Sequence, residues 1–440
     1  MSKTNKLKLA QWAVDYTVKT GANEASVSLT NQRDIEIAYR DGKLETLKES
    51  TKNSLSLSIY VENRYSNHTT NDLGEKSLET FIKEAVAATK YLSKDKYRRL
   101  PDAKYYPGAD RREFEMVDGA YENVKSEKRV EITQAIQEAA SKVSDKIISA
   151  KSEYGDSYGE VIRVNSNGFS GISKGTVFWA GASVTVKDGE KGRPSGSYWA
   201  GGRYLNDIPK TTLLGEEAAN RALRKIGQKK IKSGKYTMIV ENRAARRLLS
   251  IFSGAMRARS LQQKSSFLEG MLGKKVASDK LTIIDDPFLE KGISSRYFDS
   301  EGIVAVKRPM IEKGILKDFY VDYYYGQKLG MEPTTRSPSN LTFGLGDRNL
   351  EAIVKTTNKG ILITGFIGGN SNSTTGDFSF GIVGLLVENG IITQPINEMN
   401  ITGNAKEFWN QLAEVGNDAY PYFSQKPPTM VFDDINFSGL

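Results

Sequence analysis

The sequence contains few residues that could form a conventional catalytic or metal site. It has 440 residues, no cysteine and a single histidine, His68. The lack of cysteine excludes disulfides, thiolate nucleophiles and cysteine-ligated metals. A lone histidine excludes any site within one chain that needs two imidazoles. What stays open is a carboxylate-only metal site, serine, threonine or lysine chemistry, or a protein without catalysis.

The remaining reactive motifs each have a simpler structural interpretation. Asp285-Asp286-Pro287 could supply paired carboxylates for a metal or for acid–base work, but this tripeptide more often starts a turn. Lys264-Ser265-Ser266 lacks the S-x-x-K spacing of a serine–lysine nucleophile. His68 lies in a polar stretch typical of a surface loop. Tyr323-Tyr324-Tyr325 is expected to serve packing at the edge of an element, with an aromatic ligand platform as the alternative.

Residues 365–377 form a segment rich in glycine, serine and asparagine. It lacks the lysine of a phosphate-binding P-loop. It also lacks the following helix of a dinucleotide fingerprint, because residues 378–387 read as a strand. We therefore predict a turn between two strands, with a binding loop built from backbone groups as the alternative.

Charge and hydropathy argue against a membrane or nucleic-acid protein. The net charge is +9, and its densest cluster is a run of lysines near residue 230 that is typical of a solvated helix end and linker. This cluster consists of Lys225, Lys229, Lys230, Lys232 and Lys235. No nucleic-acid module accompanies it, so direct nucleic-acid binding is not expected. No apolar run reaches membrane-spanning length, and residues 1–6 are not followed by a continuous apolar stretch, so we expect a cytoplasmic protein without a signal peptide.

The first half of the chain is predicted to use one order of elements twice. Helices are expected at 5–20, 75–93, 125–145 and 212–228, with alternating strands between them and an Asp41-Gly42 hairpin turn. A lysine-rich helix end then runs into Ser233-Gly234, where we place a domain boundary. Residues 1–232 are predicted to form an N-terminal α/β domain with a helix–meander–helix repeat.

The second half is predicted to be rich in strands and turns. Its most convincing helix covers residues 242–260, where apolar residues recur on one face. We expect residues 233–440 to form a β-rich domain with this one main helix, which makes the whole chain an α+β protein.

Several segments of the second half, taken in order, resemble the TldD/TldE (PmbA) family, historically labelled modulators of DNA gyrase. They are residues 263–268, 284–287, 298–302, 311–319, 339–341, 375–381, 387–390, 401–404 and 415–418. The resemblance is dense from about residue 236 to 420 and looser before it. It implies an N-terminal α/β domain, a β-rich C-terminal domain and membership of a cytosolic two-subunit peptidase complex.

The family's zinc-bearing chains carry H-E-x-x-x-H on a helix together with a cysteine ligand, and this chain departs from that pattern. Our alignment puts Ser250 and Ala255 at the histidine positions and Ile251 at the position of the general-base glutamate. The resemblance therefore implies a TldE-like chain with no metal, no cofactor and no catalytic residues. Grafting the three missing residues is predicted to preserve the helix and to give weak zinc binding at best.

The resemblance also implies partners. We expect a zinc-bearing TldD-type subunit and unfolded peptide substrates. In isolation, the chain could instead form a homodimer. Asn370, Thr375, Gly376 and Asp377 are the candidate residues for peptide or partner binding. Two alternatives remain, namely a standalone regulatory protein of the gyrase-modulator type and a peptidase of unusual chemistry.

Overall fold

The first half of the chain folds around one antiparallel sheet. The computed structural model describes residues 3–108 and 113–440, so Met1 and Ser2 of the N-terminus lie outside it. The strands are β1 (Glu24–Arg40), β2 (Lys43–Val61), β3 (Arg64–Thr70), β4 (Ile147–Asn165), β5 (Ser170–Val186) and β6 (Ser195–Gly202). Their spatial order is β3-β2-β1-β4-β5-β6, so the first strand of each meander lies at the centre.

The predicted helix–meander–helix repeat is present in this half. Its helices are α1 (Lys3–Lys19), α2 (Glu75–Thr89), α3 (Ser126–Ser141) and α4 (Thr211–Leu223). The first two pack mainly on β1 and β2, and the other two pack on β4 to β6, so each repeat has its own apolar core. The two repeats join through the antiparallel β1–β4 pair, which runs from Ser26 opposite Asn165 to Arg40 opposite Lys151.

The second half is rich in strands, as predicted. The strands are β7 (Gly234–Val240), β8 (Ile283–Asp286), β9 (Arg308–Glu312), β10 (Ile315–Leu316), β11 (Asn340–Phe343), β12 (Lys359–Ser371), β13 (Asp377–Glu388), β14 (Ile391–Asn404), β15 (Leu412–Val415) and β16 (Met430–Ser438). They form one sheet of order β14-β13-β12-β7-β16-β15 and a smaller one of order β10-β9-β8-β11. The helices are α5 (Asn242–Ala255), α6 (Ala258–Gln262), α7 (Tyr323–Leu329), α8 (Leu350–Thr356) and α9 (Ala405–Phe408).

Helix α5 is the main helix of this half, but it is shorter than predicted. It ends at Ala255 because the next residues pair with a neighbouring segment. The N–H of Ala258 donates to the carbonyl of Tyr320 at 2.9 Å, and the N–H of Tyr320 donates to the carbonyl of Met256 at 2.8 Å. These two bonds draw the backbone out of the helical path before α6 begins.

One local prediction was wrong, and another holds for only part of its segment. His68 is in strand β3 and not in a loop, because it pairs opposite Leu57 of β2 and its ring packs edge-on against Phe81. Asp285 is a buried residue of β8 that accepts a hydrogen bond from the N–H of Ser339 at 2.8 Å. The turn starts only at Asp286, whose carboxylate accepts from the N–H of Phe288 at 3.0 Å.

No helix in the described ranges is both long and apolar enough to cross a membrane.

The two halves meet where residues 298–302 pack against the ends of β4 and β5. The ring of Phe298 lies 5.0 Å from that of Phe169, edge to face. Beside it, the buried carboxylate of Asp299 accepts hydrogen bonds from the N–H groups of Glu301 and Arg336. Burial, followed by the charge of nearby Asp299, raises the pKa of Glu301 to about 8. This contact between the halves therefore contains a carboxyl group that resists ionisation.

Replacing this carboxyl group is expected to change how stability depends on pH. The pKa of Glu301 is higher in the folded state than its ordinary 4.5. The folded protein then holds a proton that the unfolded chain releases, so stability falls as pH rises from about 4.5 to about 8. Glu301→Gln can still accept the N–H of Tyr323, now made at 2.9 Å, but it cannot ionise.

We expect the loss of unfolding free energy between pH 5 and pH 8.5 to be smaller in Glu301→Gln than in the parent, by the order of a few kcal/mol. Urea unfolding at both pH values measures it. Equal pH dependence in the two proteins would contradict the assignment.

Candidate functional site

Helix α5 presents two chemically different faces. Its apolar residues lie in the core of the second half, and the list comprises Ala245, Leu248, Leu249, Ile251, Phe252 and Ala255. The opposite face carries Arg243, Arg246, Arg247, Ser250 and Ser253, which recur at helical spacing and line an open cleft. The amphipathic pattern therefore fixes which residues the helix offers to a ligand.

The three predicted zinc-motif positions do not share a face. Ser250 lines the cleft, where its hydroxyl donates to the carbonyl of Arg247 at 2.6 Å. Ile251 is 2% exposed and Ala255 is 0% exposed, so both point into the core. With this alignment, α5 cannot direct all three side chains at one metal ion.

The cleft has a volume of about 770 Å³ and lies between the two halves of the molecule. Its walls are α5, the end of α4 with the start of β6, residues 364–367 of β12, residues 383–385 of β13 and residues 423–425. Six of its lining side chains are cationic, and none of the described lining residues is acidic. The cationic residues are Arg221, Arg224, Lys225, Arg243, Arg246 and Arg247.

Three arginines of α5 are held by aromatic rings and carbonyl groups, and not by carboxylates. Arg243 lies 4.5 Å from the ring centre of Tyr198, and Arg246 lies 4.5 Å from that of Phe423. Arg247 lies 4.7 Å from the ring centre of Phe380 and donates to the carbonyl of Gly369 at 2.7 Å. These contacts orient the guanidinium groups and leave their charge uncompensated.

The α4 side of the cleft is partly neutralised. Arg221 pairs with Glu241 and, at 2.8 Å, with Glu217, which also lies 3.5 Å from Arg224. Lys225 donates to the carbonyl of Ser195 at 2.6 Å, and burial, followed by the charge of Arg221, lowers its pKa. Two carboxylates thus accompany six cations, and the described part of the cleft keeps an excess of positive charge.

Such a cleft does not suit a divalent metal. Zinc requires imidazole, thiolate or carboxylate ligands, and the described cleft residues provide none of them. The positive charge also opposes a cation. Elsewhere in the described ranges no group of three potential metal ligands comes together, and His68 lies in β3 of the first sheet.

Strand β12 has an open edge within the cleft. It pairs in parallel with β7 only from Gly360 to Ile363, where β7 ends and α5 begins. Its pairing with β13 continues to Ser371. From Thr364 onward the described strands therefore flank β12 on one side only, and its other edge faces the cleft beside the arginines of α5.

The predicted binding segment divides into a strand and a turn. Residues up to Ser371 belong to β12, and Asn370 is an exposed strand residue opposite Ser379. Gly376 adopts a φ of +87°, which favours glycine. Thr375 donates to Asp377 at 2.6 Å, and Asn404 donates to the other oxygen of Asp377 at 2.9 Å.

These hydrogen bonds stabilise the conformation of the turn. They lower the pKa of Asp377, with the Thr375 bond as the larger cause and the Asn404 bond second. None of the four predicted binding residues lies among the residues that line the cleft. The prediction placed the hairpin correctly, but it missed the arginines of α5, which follow the cations at the end of α4 by 18–26 positions in sequence.

Comparison with known proteins identifies the family to which this chain belongs. Residues 233–439 match the PmbA/TldA metallopeptidase C-terminal domain, residues 120–226 match the central domain, and residues 25–89 match domain 1. The chain therefore belongs to the PmbA/TldD metallopeptidase family.

Individual relatives extend over almost the whole chain. The metalloprotease PmbA of Escherichia coli O157:H7 is 27% identical, covering 93% of this chain and 92% of that protein. A crystal structure from Bacteroides thetaiotaomicron, described as a modulator of DNA gyrase, is 42% identical with a TM-score of 0.97, covering 100% of both chains. TldE from Thermococcus kodakarensis shares the fold at 21% identity, with a TM-score of 0.87 and coverage of 98% and 100%.

Grafting the zinc motif is now expected to damage the protein, contrary to the prediction from sequence. In the triple variant Ser250→His, Ile251→Glu, Ala255→His, a carboxylate replaces a core isoleucine and an imidazole replaces a fully buried alanine. Each buried polar group costs roughly 1–3 kcal/mol or more without a hydrogen-bond partner. Ser250→His alone is the control, because that position faces the cleft.

We expect the triple variant to unfold at clearly lower urea concentration and to bind no stoichiometric zinc, whereas the control unfolds near the parent. Urea titration and metal analysis by mass spectrometry measure both properties. A stable triple variant with one tightly bound zinc ion would refute this view of α5.

The turn at Gly376 gives a second test with a matched control. A Cβ atom at Gly376 would lie 3.3–3.4 Å from atoms of Phe267, Asn404 and Ala405, in a left-handed backbone conformation. At Gly368 the φ is +65°, but a Cβ would meet nothing within 4 Å. We expect Gly368→Ala to cost about 1 kcal/mol from the backbone alone, and Gly376→Ala about 2–3 kcal/mol because crowding is added. Equal losses in denaturant unfolding would show that the turn is not tightly packed.

Proposed function

We propose that this chain is a non-catalytic, TldE/PmbA-like subunit of a cytoplasmic heteromeric metallopeptidase that processes unfolded peptides. Its TldD-type partner would carry the zinc ion and perform the hydrolysis. The observation that carries the proposal is the cleft at α5, which is lined by cations in a chain with one histidine and no cysteine. The names of the relatives, metalloprotease PmbA among them, supply the reaction class.

The chemistry of peptide hydrolysis supports this division of roles. A zinc peptidase needs ligands for the metal and a base for the bound water. In this chain, Ile251 and Ala255, which our alignment places at two positions of the zinc motif, are apolar and lie in the core. The cleft is nevertheless large and open, so its retained function would be to form one wall of the chamber that holds the substrate.

A second candidate is a standalone regulatory or binding protein. It is favoured by the crystal structure at 42% identity that is described as a modulator of DNA gyrase. In that case the partner would be a topoisomerase, bound directly and without a zinc-bearing chain.

Reconstitution separates the two candidates. The full chain would be mixed with the TldD-type chain from the same genome, and cleavage of an unstructured peptide would be followed with each chain alone and with both. We expect cleavage to require the partner, to increase when this chain is added, and to be absent with this chain alone.

Equal cleavage by the partner alone would refute the subunit role. Capture of gyrase subunits from extract, without a TldD-type chain, would favour the second candidate. The triple α5 variant serves as a negative control for the mixture. Its expected loss of stability should abolish the increase in peptide cleavage that the parent chain produces.

A further inference from the structure

We propose that the cationic cleft, defined by the cleft-lining residues of α4 and α5, binds an acidic segment of an extended peptide. Its carboxylates would bind the guanidinium groups, and its backbone would lie along the open edge of β12. The inference rests on the proposed function in one respect, namely that the complex handles peptides.

The first argument is the unbalanced charge. Arg243, Arg246 and Arg247 are oriented over aromatic rings, and no carboxylate of the described chain pairs with them. The Nε atom of Arg243 is buried without a hydrogen-bond partner. Guanidinium groups that have no paired carboxylate in the chain can bind the carboxylates of a ligand through two parallel hydrogen bonds.

The second argument is the unpaired backbone beside these charges. Past Ile363, β12 has lost its β7 neighbour, and residues 364–367 line the cleft, whereas the carbonyl of Gly369 beyond them already accepts a hydrogen bond from Arg247. An exposed strand edge accepts an extended peptide through main-chain hydrogen bonds. The edge and the arginines line the same cleft, so one extended chain could use both.

The third argument concerns what else could bind there. Nucleic-acid single strands require aromatic faces on which bases stack. Two aromatic residues line this cleft. Arg246 lies 4.5 Å from the ring centre of Phe423, and the ring of Phe366 packs edge-on against that of Phe380, so the two rings do not form a stacking platform. A volume of about 770 Å³ also exceeds what a single inorganic anion fills. An acidic peptide satisfies the charge, the edge and the volume together.

The test is a binding titration of the isolated full chain, so that it does not depend on a zinc-bearing partner. The probe is a fluorescein-labelled, amidated twelve-residue peptide of alternating Glu and Ser, followed by fluorescence anisotropy at low salt. Three comparison peptides carry Lys for Glu, Gln for Glu, or Gln for Glu with a free C-terminal carboxylate. A labelled thymidine oligonucleotide of the same length tests the nucleic-acid alternative.

Variants locate the site. Arg224→Gln with Arg246→Gln removes two exposed cations of the cleft, and Arg224→Lys with Arg246→Lys keeps their charge. Lys43→Gln with Lys52→Gln is the charge-matched control, because both lysines are exposed on β2 in the other half. Circular dichroism of each variant verifies the fold.

We expect the Glu peptide to bind, the Gln and Lys peptides not to bind, and added salt to weaken the complex. The double glutamine variant should bind about tenfold more weakly or worse, the lysine variant should fall between it and the parent, and the control should match the parent.

Four results would overturn the proposal. They are equal binding of the Gln peptide, unchanged affinity in the double glutamine variant, equal binding of the neutral peptide with a free carboxylate, and tighter binding of the oligonucleotide. Because no partner is present, each of these results is independent of the reconstitution that tests the subunit role.

Discussion

The ion pair between Arg221 and Glu241 is the contact on which the geometry of the cleft depends. Arg221 belongs to α4 in the first half, and Glu241 is the residue between β7 and α5 in the second half. Both side chains are largely buried, and the carbonyl of Glu241 also accepts the N–H groups of Ala244 and Ala245 at the start of α5. Losing one member of such a pair leaves a buried charge, which is strongly destabilising. The pair therefore fixes α4 against the start of α5, and the space between the two helices is the cleft.

The cleft contains two kinds of arginine, which differ in whether a carboxylate pairs with them. Arg221 is matched by carboxylates and serves assembly, whereas the arginines of α5 are oriented by rings and carbonyl groups and keep their charge. A family whose relatives are called metalloproteases thus includes a chain with a helix that carries cations toward its cleft. The excess of positive charge in the described part of this cleft disfavours a metal cation there.

Local patterns were enough to predict the helices, the repeat and the β-rich second half. Hydrophobic periodicity and turn-forming residues depend only on neighbours that are close in sequence. The cleft could not be predicted in the same way. Arg224 and Arg246 belong to different elements, and only the tertiary fold that pairs Arg221 with Glu241 brings them to one cavity. The predicted binding residues Asn370, Thr375, Gly376 and Asp377 lie in or beside a tight turn that Asn404 holds through hydrogen bonds, and their role in binding stays a prediction. Ile251 and Ala255 were aligned by sequence position, but the direction of their side chains depends on which face of α5 meets the core.

The arrangement of the first sheet has a consequence for synthesis of the chain. β1 lies at the centre of the sheet, yet its partner β4 begins at Ile147, more than a hundred residues later. On the ribosome, the first repeat can be completed through α2 while one edge of β1 still lacks its neighbour. An uncovered strand edge is a template for pairing with other chains. The nascent protein therefore exposes this strand edge from the emergence of α2 until the emergence of β4.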